Sequence, residues 1–201
     1  MNYADIKTND IANGPGIRVS IFVAGCRLCC PGCFNPELQR FDFGKQLDHD
    51  AITSIIEAVR DPYIDGLSIL GGEPMDPHNV EYTWSLVARV REAVPDTSIW
   101  VYTGYTLEML LTRWQSVYKN YSMLECMSTF NILKNSDILV DGPFEEDQKN
   151  LGLRFCGSAN QRVIDLKQST IIYPETVNDL AYIQELVERD EYKWKKKIED
   201  Q

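Results

Sequence analysis

Short apolar runs that stop on glycine, separated by stretches of helical periodicity, constrain the fold of this chain more than any other feature. Ile17, Val19, Ile21 and Val23 alternate with Arg18, Ser20 and Phe22, so 17–23 reads as a strand. A second strand, 66–70, stops at Gly71 and Gly72; a third, 98–102, stops at Gly104. Ile138 to Val140 form a fourth, ending in Asp141, Gly142 and Pro143, and 161–165 reads as a fifth. Between them, 49–60 carries Ile52, Ile55, Ile56 and Val59 at the spacing of an amphipathic helix. Asp76 and Pro77 form the cap and first turn of a helix with Val80, Trp84, Val87, Val90 and Val94 on one face. Thr106 caps a helix that begins at Leu107–Leu111, and a final helix over 176–198 buries Leu180, Ile183 and Val187.

Strand–helix alternation with glycine at each strand's carboxyl end predicts an α/β fold: a parallel sheet with helices outside. The strands are too few to close an eight-fold barrel, so a partial (β/α) barrel is expected. A length of 201 residues suits a single domain, 1–201. Residues 112–135, with Trp114, Tyr118, Tyr121, Cys126 and Phe130, break the rhythm and read as an insertion at the periphery.

In such sheets ligands bind beyond the carboxyl ends of the strands. The segment after Val23, the turn Gly71-Gly72-Glu73-Pro74, Thr103-Gly104-Tyr105 and Asp141-Gly142-Pro143 all fall there, and so belong to one site. The net charge of −10 disfavours nucleic acid, whose phosphates would repel such a chain. The dense basic run Lys193–Lys197 sits beside acidic residues and reads as a solvated helix end. No apolar run reaches the length of a membrane span, and the first residues lack the apolar core of a signal peptide. The expected location is the cytoplasm.

The segment after the first strand holds Cys26, Cys29, Cys30 and Cys33, four of the chain's six cysteines. Adjacent Cys29 and Cys30 suit a disulfide framework poorly, and such a cluster points to metal instead. Thiolates suit both zinc and iron–sulfur clusters. A structural zinc site wants four ligands, usually two separated pairs, and no second pair exists: Cys126 and Cys156 stand alone, and His49 and His78 lack metal spacing. Two registers fit a loop, Cys26-Cys30-Cys33 and Cys26-Cys29-Cys33. A [4Fe–4S] cluster normally takes four thiolates, so three local ligands would leave one iron open to a small molecule. Gly71-Gly72-Glu73-Pro74 allows close backbone approach, offers carbonyls to an ammonium group, and adds a charged acceptor in Glu73.

The C-x3-C-x2-C spacing and the Gly-Gly-Glu-Pro turn resemble the radical SAM enzymes. Asn13-Gly14-Pro15-Gly16-Ile17-Arg18, Cys33-Phe34-Asn35, Tyr102–Tyr105, Asp141–Phe144 and Gly157–Arg162 narrow the match. Over about residues 1 to 165, the chain closely resembles the activating enzymes of anaerobic (class III) ribonucleoside-triphosphate reductases.

The resemblance implies a [4Fe–4S] cluster on Cys26, Cys30 and Cys33, with Cys29 a bystander, and S-adenosyl-L-methionine (SAM) as the second cofactor. Gly32, Cys33 and Phe34 would pack beside SAM; Gly71, Gly72 and Glu73 would hold its amino end. The implied activity is reductive cleavage of SAM to a 5′-deoxyadenosyl radical, which makes a glycyl radical on the reductase. No side chain is then required as acid or base. The implied partners are the large subunit of the reductase and reduced flavodoxin or ferredoxin, the electron donor. Activation of another glycyl-radical enzyme, or a non-catalytic iron–sulfur or zinc redox protein, are the alternatives. The chain departs from the family at Cys156, where arginine is commoner, in the length of 112–135 and in the tail after about 175. Gly32 replaces an aromatic residue of the wider superfamily but suits this subfamily.

Overall fold

The computed structural model describes residues 1–113, 120–168 and 170–173. The helix expected at 176–198 and the basic run at 193–197 lie outside the described residues. Strands β1 (Asn2–Asp10), β2 (Arg18–Val23), β3 (Lys45–Gln46), β4 (Gly66–Gly71), β5 (Ser98–Tyr102), β6 (Ile138–Asp141), β7 (Arg162–Asp165) and β8 (Thr170–Tyr173) form one eight-stranded sheet. Its order is β3-β1-β2-β4-β5-β6-β7-β8, an open sheet with β3 and β8 at its edges. Helices α1 (His49–Val59), α2 (Val80–Ala93), α3 (Leu107–Leu111) and α4 (Met123–Asn135) complete it.

The expected wholly parallel sheet is corrected to a mixed one. β2, β4, β5 and β6 run parallel, whereas β1 and β3 on one side and β7 and β8 on the other are antiparallel additions. β1 eluded the sequence reading because its residues, Asn-Tyr-Ala-Asp-Ile-Lys-Thr-Asn-Asp, are mostly polar and, apart from Asp10, none is fully buried. Its pairing with β2 follows from the turn at Gly14 and Gly16, both at positive φ, which reverses the chain.

Period-two alternation sorts each central strand between two faces. Val19, Ile21, Val23, Leu67, Ile69, Ile99, Val101 and Leu139 are buried on the helix side. Ile52, Ile55 and Val59 of α1 meet them, with Val80, Leu86, Val87 and Val90 of α2. On the other face Trp100, Ile138, Val140 and Val163 form a smaller apolar cluster. The fully buried Arg18 guanidinium lies above Trp100, 5.3 Å from the ring centre. It donates to Ser68 Oγ at 2.7 Å and to the carbonyls of Leu67 and Ser98 at 2.8 and 2.9 Å.

Three helix starts behave as local chemistry dictates. Asp48 caps α1 by accepting from Ala51 N at 2.9 Å, and Thr106 caps α3 from Met109 N. Ser122 and Glu125 build a reciprocal capping box at the start of α4. α4 occupies much of the stretch read as a peripheral insertion; it carries the β5-to-β6 crossover and packs on α2. Its helical signal is weak because its buried face is Cys126, Ser128, Thr129, Ile132 and Leu133, only partly apolar. No helix among the described residues is long and apolar enough to cross a membrane.

Candidate active site at the carboxyl ends of the parallel strands

The cysteine loop leaves β2 at Val23 and is closed at its base by the returning chain. Gly25 N donates to Leu38 O at 2.8 Å and Cys26 N to Gln39 O at 3.1 Å, from the 3-10 turn Pro36–Gln39. Inside the loop Cys33 N donates to Cys30 O at 3.2 Å, and Cys29 and Gly32 take positive φ of 49° and 67°. Cys26, Cys30 and Cys33 are half-buried, while Cys29 is exposed.

Burial pushes the Cys26 thiol up to about 11, with Glu73 and Cys30 adding to the rise. Burial also raises Cys30, reinforced by Cys33 and Glu73. Cys26 and Cys30 therefore both feel the negative charge of Glu73. Only thiolates bind metal, so a cation entering this loop must displace protons that burial holds in place. Among the described residues, no three His, Cys, Asp or Glu side chains are gathered as ligands for a single metal ion. A cluster differs from zinc in this respect, because its thiolates attach to separate irons. The donor set, three half-buried soft sulfurs in one loop, fits an iron–sulfur cluster.

The Gly-Gly-Glu turn abuts the base of that loop. Gly71 takes φ 112°, and a Cβ there would lie 2.7 Å from Val23 N. A Cβ on Gly72 would lie 2.7 Å from Leu38 O and 2.8 Å from Gly25 O. These glycines are required by the approach of the β2 backbone and the loop base. Gly72 N donates to Val23 O at 2.7 Å and Glu73 N to Gly25 O at 2.9 Å.

Glu73 is fully buried and joins β4 to β5. Its Oε1 accepts from Met75 N at 2.9 Å and Thr103 Oγ1 at 2.7 Å; Oε2 accepts from Gly104 N at 2.7 Å. Burial lifts its carboxyl to about 7, against the pull of those bonds and of Arg113. Arg113 is itself buried, donates to Met75 O at 2.7 Å and lies over the Tyr105 ring. Farther along, Gly142 N donates to Tyr105 O at 3.2 Å, and Asp141 accepts from Leu107 N at 2.7 Å. Hydrogen bonds thus link the strand ends that the sequence placed in one site.

The far side of the cysteine loop leans on the β6-to-β7 connection. The Phe34 and Phe144 ring centres are 4.8 Å apart, and Lys149 Nζ sits 4.8 Å from the Phe34 ring centre. Gly32 faces the Glu146 carboxylate so closely that a Cβ would lie 2.6 Å from its Cδ. His49 is away from this site, at the start of α1 with Arg89 Nη2 3.1 Å from its ring. Cys126 is buried in α4, and Cys156 packs against the Trp100 cluster.

With that geometry in view, the likenesses to known proteins are specific. The family model for a 4Fe-4S single cluster domain matches residues 12–164, which contain the whole site. A Vibrio cholerae protein named anaerobic ribonucleoside-triphosphate reductase-activating protein is 37% identical over 163 residues, 80% of this chain and 96% of that protein. An Escherichia coli protein of the same name is 37% identical over 169 residues, 83% of this chain and 100% of that protein. One from enterobacteria phage T4 is 33% identical over 163 residues, 81% of this chain and 93% of its own.

This chain belongs to the anaerobic ribonucleoside-triphosphate reductase-activating protein family.

Several residues of this family member escaped the sequence reading. Arg27 and Asp76 form a salt bridge from the cysteine loop to the turn after β4, with Asp76 fully buried. The guanidinium also lies over Phe41, 4.8 Å from its ring centre, and His78 meets the same ring edge-on. Arg113 supports Glu73 beside Thr103, which the sequence already places at the site, and Asn79 binds both segments at once. Asp76 also caps the turn that leads into α2, as the sequence predicts: its carboxylate accepts from His78 N at 2.9 Å and its carbonyl from Val80 N at 2.9 Å, with α2 proper beginning after Asn79. The one usable signal was the dense polar run Asp76, His78, Asn79 directly after a glycine-punctuated strand end.

Proposed function

We propose that this protein activates an anaerobic ribonucleoside-triphosphate reductase by radical SAM chemistry, with a [4Fe–4S] cluster on Cys26, Cys30 and Cys33. The observation that carries the reading is the shared backbone of the two motifs: Glu73 N donates to Gly25 O, one residue before the first proposed ligand. Cys26, Cys30 and Cys33 would hold the cluster, which when bound would supply the one electron needed for reductive cleavage of SAM to methionine and a 5′-deoxyadenosyl radical, the oxidant for a reductase glycine.

The chain's own work is binding, orientation and exclusion of water. Half-burial of Cys26, Cys30 and Cys33, against the exposure of Cys29, favours the first register of ligands. Glu73 has about four lone-pair sites, and three donors within the chain leave one for an ammonium group. An ammonium there would offset the burial that raises Glu73 and favour the carboxylate. Gly71 and Gly72 set the turn that aims it. Leu28 lies against Gly104, where a Cβ would be 2.3 Å from its Cδ1, and shields the Glu73 carboxylate from solvent. Gly32, Cys33 and Phe34 close the side facing Phe144 and Glu146. The partner is the reductase for which the relatives are named, and a reduced flavodoxin or ferredoxin supplies the electron.

The test is anaerobic reconstitution with iron and sulfide, reduction, addition of SAM, and measurement of methionine and 5′-deoxyadenosine. Equal yields of both are expected, followed by a glycyl-radical electron paramagnetic resonance (EPR) signal when the reductase is added. A loaded, reducible cluster that leaves SAM intact with the reductase present would make the protein an electron carrier instead.

A further inference from the structure

Asn79 stands just before α2 and is itself in helical conformation, while Asp76 supplies the cap: its carboxylate accepts from His78 N at 2.9 Å and its carbonyl from Val80 N at 2.9 Å. The Asn79 side chain is therefore free of any capping duty and turns back toward the strand ends. Its Nδ2 donates to Ala24 O at 3.0 Å, Gly25 O at 3.2 Å and Glu73 O at 3.0 Å. All three partners are acceptors, so only the NH2 end can face them, and the orientation of the amide is determined. Asn79 is fully buried, and its Oδ1 has no hydrogen-bond partner among the described residues. Leaving a buried oxygen unpartnered is unfavourable. A side chain held in that way does something the helix does not need.

The three carbonyls identify what that is. Ala24 and Gly25 lead directly into Cys26, and Glu73 closes the Gly-Gly-Glu turn. A single primary amide therefore ties the root of the cysteine loop to the turn beside it, from below and out of solvent. The salt bridge of Arg27 to Asp76 joins the same two segments at the rim, where Arg27 is 55% exposed. We infer that Asn79 is a positioning residue that sets the separation between the cysteine loop and the Gly-Gly-Glu turn, and hence the placement of SAM beside the cluster. This rests on the proposed function. Transfer between two bound groups is sensitive to displacements of about 1 Å, so loosening the tie lowers turnover without removing either group.

Asn79→Ser is the informative variant, because serine keeps a small polar side chain there and leaves the Asp76 cap in place while being too short to bracket three carbonyls. Wild type and Asn79→Ser are reconstituted together. Iron and sulfide content, thermal midpoint, the change SAM makes in the EPR spectrum of the reduced cluster, and kcat for SAM cleavage per loaded cluster are compared. The expected result is unchanged iron content, a lower midpoint, a weakened spectral response to SAM, and kcat per loaded cluster lower by at least about tenfold. Asn79→Asp, which turns an oxygen toward the three carbonyls, should reproduce the loss. An Asn79→Ser protein with the wild-type spectral response and kcat overturns the inference. So does one whose activity falls only in proportion to its iron content, since that is a folding role. A wild-type cluster whose spectrum ignores SAM overturns the proposed function itself, and the inference with it.

Discussion

Cys29 and Cys30 are neighbours with opposite surroundings, and their alanine variants should separate cleanly. Cys30 is half-buried beside Cys33 and Glu73, whereas Cys29 is exposed at a positive φ. Cys30→Ala should lose most of its iron on reconstitution and all SAM cleavage, and Cys29→Ala should retain both; iron lost from the Cys29 variant would shift the register of ligands. Glu73 makes a prediction about pH. Burial raises it from the ordinary 4.5 to about 7, so the folded chain holds that proton more tightly than the unfolded chain does. Its contribution to stability is complete below about 4.5 and is lost as pH rises to about 7. Binding of the SAM ammonium needs the ionised form and runs the opposite way. KM for SAM should therefore fall as pH rises through 7, and that dependence should disappear in Glu73→Ala.

Turns and caps decide the behaviour of whole elements. Gly72 lies where β4 passes under the cysteine loop, and a methyl group there would strike the carbonyl oxygens of Leu38 and Gly25. Both obstacles are backbone atoms that cannot swing aside. Gly72→Ala should cost about 1–3 kcal/mol in urea titrations, and its iron loading should fall more than its stability does. The capping box of α4 acts far from the site. Ser122→Ala removes the bond from Glu125 N at 3.1 Å and should cost about 1 kcal/mol, with SAM cleavage per cluster unchanged. A Ser122→Ala protein with impaired cleavage would show that α4 reaches the site through Arg113, whose Nη1 donates to Thr129 of that helix at 3.0 Å.

In the molecule as a whole, stability should fall outward from the parallel centre. β4 and β5 each lie between parallel neighbours with helices packed over their apolar face, while β3 is a two-residue edge strand. Amide hydrogen exchange should be slowest in Leu67–Ile69 and Ile99–Val101 and fast in Asp5–Asn9, where β1 pairs only with β2. Equal protection across the sheet would mean that the antiparallel additions are part of one cooperative unit. The central strands, α1, α3, the cysteine loop and the Gly-Gly-Glu turn were legible in the sequence because each has a local signal: alternation, helical periodicity, a cap, a metal-ligand spacing. β1 and α4 were not, since the first is polar and earns its place by pairing with β2, and the second buries serine, threonine and cysteine. The sequence by itself determined which residue types meet at the strand ends and that four thiols share one loop. Only the tertiary structure decided that β1, β7 and β8 run antiparallel, that Gly71 and Gly72 yield to backbone, and that Asn79 bonds to two segments at once. Those choices depend on contacts between residues far apart along the chain, and such contacts leave no mark on local composition or spacing.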